Sequence, residues 1–438
     1  MAHFVPDNDH SPAGAGDTYT GGGWKSHGIL AVLFLIYMSD YADRMVLSSM
    51  INFIQRDWDI TDGQAGMLLS VVLVFITIFS PAASILVDRW SRRKMIAIMT
   101  LLWSLATLAC KFATGYYQLL VARAFIGLGE AGYASGGAAL LSGAYPEKKR
   151  GIVFGIFNAA IPVGIGIGLI AGGQIASRWH WQDAFGIVAI PGVILALIAW
   201  FLPDYKTVHP EHKGVPARTV YSDLRYLFKI SSLVFIYLGF AMAVSCTTAM
   251  AHWMAPYFER TGLAEMGKGG TYATPLMALV ILGAPLGGIV ADRWQKSRPD
   301  ARLIMPVITM TISGVALWIA MQYEGSSAQL GILAVYGLSV TMFIAPSLAA
   351  SQDVVHPGFR ALAMGMCVFL QHALGDIWSP SIVGLLSDFF GESGLSKALM
   401  FVPIYCILAA LFFYLASRHY VEDLSKVERV KLEAEENN

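Results

Sequence analysis

Three stretches of this 438-residue chain set acids and bases among neighbours that are mostly apolar. The first, YMSDYADRMVL, holds Asp40, Asp43 and Arg44. Asp40 and Arg44 are one helical turn apart, and Asp43 lies on nearly the same face. The second, ARAFIGLGEAGY, holds Arg123 and Glu130 seven residues apart. Two turns of helix put them on one face, about 10 Å apart along the axis. The third, FLQHALGDIWSPSIVGLLSD, holds His372 and Asp376, again one turn apart. Desolvation raises the pKa of a carboxylate and a neighbouring Arg lowers it. A carboxylate between these pulls can take up a proton in one conformation and release it in another. Glu130 is favoured for that work, with Asp40 and Asp43 beside it and with Arg123 and Asp43 tuning it. The plainer use of the same residues is a permanent ion pair, such as Asp43 with Arg123. Asp376 has a plain use too, capping a helix break at Gly375 and Pro380. His252, in MAHWMAPYFER, reads as a hydrogen-bonded wall residue rather than a proton carrier.

The elements that must position these groups follow from composition. The chain is 56% hydrophobic and 14% charged, with a mean hydropathy of +0.57. Soluble domains carry roughly 25% charged residues, so this chain is built for lipid. Thirty Lys and Arg balance thirty Asp and Glu, which leaves no electrostatic case for nucleic acid. Cys110, Cys246, Cys367 and Cys406 all lie in apolar runs without a CxxC pair. That excludes a disulfide framework and a thiolate zinc site, and no cofactor motif is present. No GxxxxGK[ST] loop occurs, so ATP-driven pumping by this chain alone is excluded.

A membrane helix needs about 20 mostly apolar residues. Twelve such stretches are expected near 27–53, 62–87, 95–114, 116–143, 150–176, 183–202, 231–258, 271–291, 303–322, 328–352, 361–387 and 398–417. The only long polar separator, 203–229, divides them into six-helix bundles over 27–202 and 230–418. A disordered tail over 1–26 and a second tail over 419–438 flank them. Seventeen Lys and Arg on one set of alternate loops face six on the other. By the positive-inside rule both termini and the central linker are cytoplasmic. The halves also echo each other: LVDRW (86–90) recurs as VADRW (290–294), an offset of 204 residues, and Pro146–Arg150–Gly155 is matched by Pro357–Arg360–Gly365. The fifth span, AAIPVGIGIGLIAGG, packs Gly164, Gly166, Gly168, Gly172 and Gly173 behind Pro162. Small residues of this kind let helices approach closely.

A duplicated six-span unit in parallel orientation is the plan of the major facilitator superfamily. The chain resembles its spinster-like family in four stretches: YADR (41–44), RAFIGLGEAGY (123–133), FNAAIPVGIGIGLIAG (157–172) and QHALGDIWSP (371–380). The anion:cation symporter family also has a DR in its first span, but does not usually show GEAGY followed by IPVGxGxG. The superfamily loop signature GxLxDRxGRR appears as SILVDRWSRRK, with Ser84 and Ser91 for its glycines. The antiporter signature of the fifth span is not cleanly matched.

The resemblance implies an all-α membrane protein with twelve helices in two pseudo-symmetric bundles around a central cavity. It implies a secondary transporter, not an enzyme, that moves a lysophospholipid- or sphingolipid-like amphiphile. Proton coupling is left open. The alternative is a proton-coupled symporter of a sugar acid or other small organic anion, with Arg44 and Arg123 on its carboxylate. Carried over from the resemblance, Arg44, Arg123 and Glu130 become substrate-site candidates and Glu130, Asp43 and Asp40 proton-coupling candidates; His372 and Asp376, by their own spacing, and Tyr133, as an aromatic that could line the pocket, join the substrate-site candidates. Asp88, Arg89, Arg92, Arg93, Asp292 and Arg293, at loop turns, are candidates for a cytoplasmic gate that latches the halves when the opposite side is open. Aromatics such as Tyr37, Tyr41, Phe154, Phe157, Trp253 and Trp378 are further candidates for an amphiphile pocket. Short outer loops point to a bacterial inner membrane, with membrane lipids as surroundings and a single chain as the working unit.

Overall fold

A computed structural model describes residues 24–145, 147–203, 224–356 and 359–427. Within them the chain is helical throughout. This is what a bilayer demands, because backbone groups in hydrocarbon must be satisfied inside their own segment. The helices fall into twelve crossings. Span 1 comprises Trp24–Val46 with a short continuation Ile51–Trp58; span 2 is Asp62–Arg89 and span 3 Arg92–Lys111; span 4 is Tyr116–Glu130 with Tyr133–Ala144; span 5 is Glu147–Arg178 and span 6 Trp181–Trp200. The second half repeats the plan. Span 7 is Ser231–Arg260, span 8 Gly269–Gln295 and span 9 Ala301–Gln322; span 10 is Ser327–Ser339 with Ile344–Asp353; span 11 is Arg360–Gln371, a π turn His372–Asp376, then Ser379–Phe390; span 12 is Gly394–Leu399 with Pro403–Ser425. Among the described residues, helix covers each of the twelve expected stretches. The last helix outruns the expected boundary at 418 by seven residues, and the first begins inside the expected amino-terminal tail. Most of the linker, both prolines of the second repeat (Pro146 and Pro357) and the bulk of both tails lie outside the described residues.

Nine spans are long and apolar enough to cross a membrane by length and composition alone, among the described residues. The other three are spans 1, 4 and 11, the ones that carry Asp40, Arg44, Glu130, His372 and Asp376. Spans 4 and 11 are interrupted at their polar residues. Span 4 breaks at Ala131–Gly132, directly after Glu130, and span 11 breaks at the His372–Asp376 pair itself.

The glycines of span 5 set the packing. Gly164, Gly168 and Gly172 line one face against the carbonyls of Met38, Ala42 and Val46 on span 1. A Cβ on Gly168 would stand 2.5 Å from the Ala42 oxygen. Gly173 turns the opposite way, to the Gly267 carbonyl before span 8. Gly168→Val is therefore expected to lever span 1 off span 5. Overpacking of this kind costs about 1–3 kcal/mol, read as a fall in the thermal unfolding midpoint followed by tryptophan fluorescence.

An even number of crossings puts Trp24 and Ser425 on one face, here the terminal face; the other is the distal face. Hydrogen bonds between the two halves cluster, among the described residues, toward the distal face. Ser48 meets His252 at 2.7 Å and Asn52 donates to the Pro256 carbonyl at 3.2 Å. Both pairs are 204 residues apart, the offset of the DRW repeat. Spans 1 and 7 thus meet at equivalent positions across a pseudo-two-fold axis. Toward the terminal face, Ile152, Ile156, Leu286 and Ile289 of spans 5 and 8 are exposed. The molecule is closed at the distal face.

Candidate functional site

Arg44 organises the middle of the amino-terminal half. Its Nη2 donates to both oxygens of Asp40, at 3.2 and 3.0 Å, one turn back on the same helix. Its Nε lies 2.9 Å from Glu130 Oε2 on span 4, at an angle too oblique for a hydrogen bond, so the contact is electrostatic. The guanidinium also covers the Tyr41 ring at 4.7 Å. Asp40 and Glu130 are buried, while the Arg44 side chain keeps 16% of its surface exposed. Both acids therefore meet the cavity only through this one guanidinium.

Arg123 lies elsewhere than the seven-residue spacing suggested. Its Nε donates to the Leu68 carbonyl of span 2 at 2.7 Å, and its Nη1 is buried without a hydrogen-bond partner. Asp43 accepts from Thr107 Oγ1 of span 3 at 3.3 Å, and its other oxygen has no partner. The plainer alternative, an ion pair of Asp43 with Arg123, is thus not formed, and Glu130 pairs with Arg44. Helical spacing fixes a shared face but not the neighbour that fills it. Tyr133 is a core residue: its hydroxyl donates to the Leu33 carbonyl at 2.5 Å, and its ring packs on Tyr37 and Trp103. Tyr37 stacks on Phe157 in the same core. Trp253 is buried, donating to the Pro380 carbonyl.

A cavity of about 260 Å³ joins the halves at this level. Tyr41 and Arg44 form its wall on one side; His252, His372 and Asp376 stand on the other, with Thr247 and Thr248. His372 Nδ1 and Asp376 Oδ2 are 2.8 Å apart, as their spacing predicted. The second Asp376 oxygen is buried and unpartnered. His252, held by Ser48, is the hydrogen-bonded wall residue the sequence indicated. Leu73, Ile165, Met277 and Val340 make much of the remaining wall apolar.

Two of the expected cytoplasmic gate residues, Asp292 and Arg93, bond within their own halves. Asp292 pairs with Arg302 at 2.9 Å, and Arg302 also holds Asp353 at 2.6 Å. Arg93 donates to the Leu202 carbonyl at 2.9 Å. Arg92 is buried and Arg293 exposed; the Asp88 and Arg89 side chains lie outside the described residues. The distal face holds a cluster that sequence reasoning missed. Arg260, at the end of span 7, grips Asp62 of span 2 through two nitrogens, at 2.8 and 2.7 Å. It also reaches Asn52 and Gln55 at 2.8 and 2.6 Å. Glu259 accepts from Asn52 Nδ2 at 2.8 Å and from the Gly267 amide at 2.9 Å.

Two bundles, a central cavity walled by both, and a seal on one face define a membrane transporter. A sequence profile of the Major Facilitator Superfamily matches residues 33–380, and the chain belongs to that family. Within it, the chain is similar to spinster proteins. It is 27% identical to the sphingosine-1-phosphate transporter SPNS2 of Xenopus tropicalis, over 93% of this chain and 85% of that one. It is 28% identical to protein spinster homolog 1 of Bos taurus, over 82% of this chain and 72% of the relative. Its fold matches the crystal structure of a bacterial homolog of the human lysosomal transporter Spinster, in an inward-facing and occupied conformation. The TM-score is 0.80 at 20% identity, covering 92% of this chain and 99% of that structure. A D-xylose–proton symporter matches with a TM-score of 0.67 at 16% identity, over 89% and 98% of the two chains. The protein is a transporter and not an enzyme.

Proposed function

We propose that this transporter moves an amphiphile with an anionic head across a bacterial inner membrane, in exchange for or together with protons. The observation that carries the reading is the make-up of the cavity: a guanidinium that reaches it, Arg44, set opposite His372–Asp376 with apolar walls beside them. A drug-sized ligand usually fills about 300–1,000 Å³. A space of 260 Å³ suits a headgroup whose chain leaves through the open side. A sugar acid would need hydrogen-bond partners around its whole ring, where this cavity offers Leu73, Ile165, Met277 and Val340. The similarity to SPNS2, a sphingosine-1-phosphate transporter, supports an amphiphilic substrate.

In this reading the terminal face is cytoplasmic, so the structure is the inward-open state of an alternating-access cycle run by a single chain. Asp88, Arg89, Arg92, Arg93, Asp292 and Arg293 latch that face in the opposite state. Asp40, Asp43 and Glu130 hold the exchangeable proton, with Arg123 supplying positive charge beside them. Binding of a fluorescent lysophospholipid to the purified protein is expected to be displaced by unlabelled lysophospholipid and by sphingoid phosphate. A hexuronate at millimolar concentration is expected to leave it in place. Displacement by the hexuronate alone would favour the organic-anion symporter.

A further inference from the structure

Span 11 is divided in its attachments. Its first part, Arg360–Gln371, belongs to its own half, where the Tyr237 hydroxyl donates to the Ala363 carbonyl at 3.0 Å. Its last part, Ser379–Phe390, is fastened along span 2 of the other half. Ser381 donates to Ser70 Oγ at 2.9 Å, Ser387 bonds the Asp62 carboxylate, and Gly384 lies against the Asp62 backbone. Gly66 of span 2 leaves so little space that a Cβ there would stand 2.6 Å from the Pro380 carbonyl.

Between these parts the backbone ladder is thin. Residues His372–Asp376 form a π turn closed by a 3.4 Å bond from the Ile377 amide to the His372 carbonyl. Pro380 has no N–H to give the Asp376 carbonyl, which has the Ser379 hydroxyl at 3.5 Å. π turns inside α-helices recur at functional positions. This one contains the cavity residues His372 and Asp376.

The far end of the arm closes on a helix terminus. A helix leaves its first amides without intrahelical partners. Span 2 begins after the N-cap Thr61, whose side chain accepts from the Gln64 amide at 3.2 Å. The two amides before it, Asp62 and Gly63, donate to the two oxygens of Asp388, each at 2.8 Å. The cap of span 2 is therefore completed by a carboxylate from the opposite half. A negative charge at a helix amino end is further favoured by the backbone dipoles. Opening the distal face must separate Asp388 from both amides at once.

We propose that Asp388 is the distal latch of the transport cycle, carried on a gate arm, Ser379–Phe390, that departs from its own half at the π turn. Asp388 is a positioning residue, which sets how often the distal face opens without touching substrate. The proposal rests on alternating access, and accessibility is the readout because it does not depend on the identity of the substrate.

The test uses the full chain with Thr248→Cys as a reporter in the cavity wall, in sealed vesicles of both orientations. The four native cysteines are buried. A membrane-impermeant maleimide is applied to one face at a time. Hydrogen bonds to a charged group are the stronger kind, and losing two gives an expected rise of roughly tenfold in distal-face labelling for Asp388→Ala. Labelling from the terminal face falls in parallel. Asp388→Glu, which keeps the charge, returns both rates toward those of the parent, an outcome that a general loosening of the fold would not give. Should Asp388→Ala fail to fold, Asp388→Asn takes its place, with a smaller rise. Unchanged distal labelling in a folded variant overturns the latch, and so does a rise from both faces together. Failure of lipid binding with the accessibility shift intact would instead sink only the substrate assignment.

Discussion

Glu130→Gln is expected to abolish pH-gradient-driven transport while sparing the fold and most of the substrate affinity. Formal charge gives the reason. Asp40, Asp43 and Glu130 share the interior of the amino-terminal half with Arg44 and Arg123, and all but Arg44 are buried to within 4%. Three carboxylates against two guanidiniums leave one negative charge unbalanced, and an isolated buried charge costs several kcal/mol. A single proton removes the imbalance. Glu130 is its best seat, because neither oxygen accepts from a donor, Oε2 has only an oblique approach to Arg44, and a proton there can bridge to the neighbouring Asp40 carboxylate. Asp40, by contrast, accepts from Arg44 through both oxygens. Glutamine copies the protonated carboxyl in shape and is fixed in that state. In proteoliposomes with an imposed pH gradient the variant should lose at least tenfold in initial rate. Substrate counterflow, which needs no net proton movement, should stay within a few-fold of wild type. Full gradient-driven flux in Glu130→Gln would remove Glu130 from the coupling step.

Much of this arrangement is legible in the chain before it folds. Long apolar runs, a linker rich in proline and charge, and the DRW repeat lead to the twelve crossings and the pseudo-symmetry. The repeat offset even recurs in the Ser48–His252 and Asn52–Pro256 contacts. Local pairs are legible as well, since His372–Asp376 and Asp40–Arg44 depend only on one turn of helix. Partners drawn from different helices are not. Nothing in the ARAFIGLGE run says that span 2 offers Arg123 a backbone carbonyl, or that Arg44 turns to Glu130. The distal gate was missed for a related reason. Asp62, Arg260 and Asp388 stand near helix ends, where charged residues are common, and their contacts run between the two halves. Tyr133 reads from the sequence as one more aromatic that could line the pocket. The break after Glu130 turns it inward instead, against Leu33.

Arg44→Ala carries the second large effect, on stability as well as on transport. The guanidinium is the one group that meets both Asp40 and Glu130 and also reaches the cavity. Its removal leaves two carboxylates with 1% and no side-chain exposure and without the guanidinium they share. Breaking a buried pair by deleting one partner costs about 3–5 kcal/mol. The purified variant should therefore unfold at a much lower temperature than wild type and bind no anionic amphiphile. Arg44→Lys keeps the charge but not the fork that spans two carboxylates, so it should recover stability more fully than affinity. The double variant Arg44→Ala/Glu130→Gln separates the causes. If the loss comes from uncompensated charge, neutralising Glu130 restores a substantial part of the unfolding midpoint, and the two effects are strongly non-additive. If Arg44 acts by packing on Tyr41 alone, at 4.7 Å from its ring, the two losses simply add. Additivity in that cycle would mean that the acids do not depend on Arg44 for their charge balance, and would take the proton site at Glu130 with it.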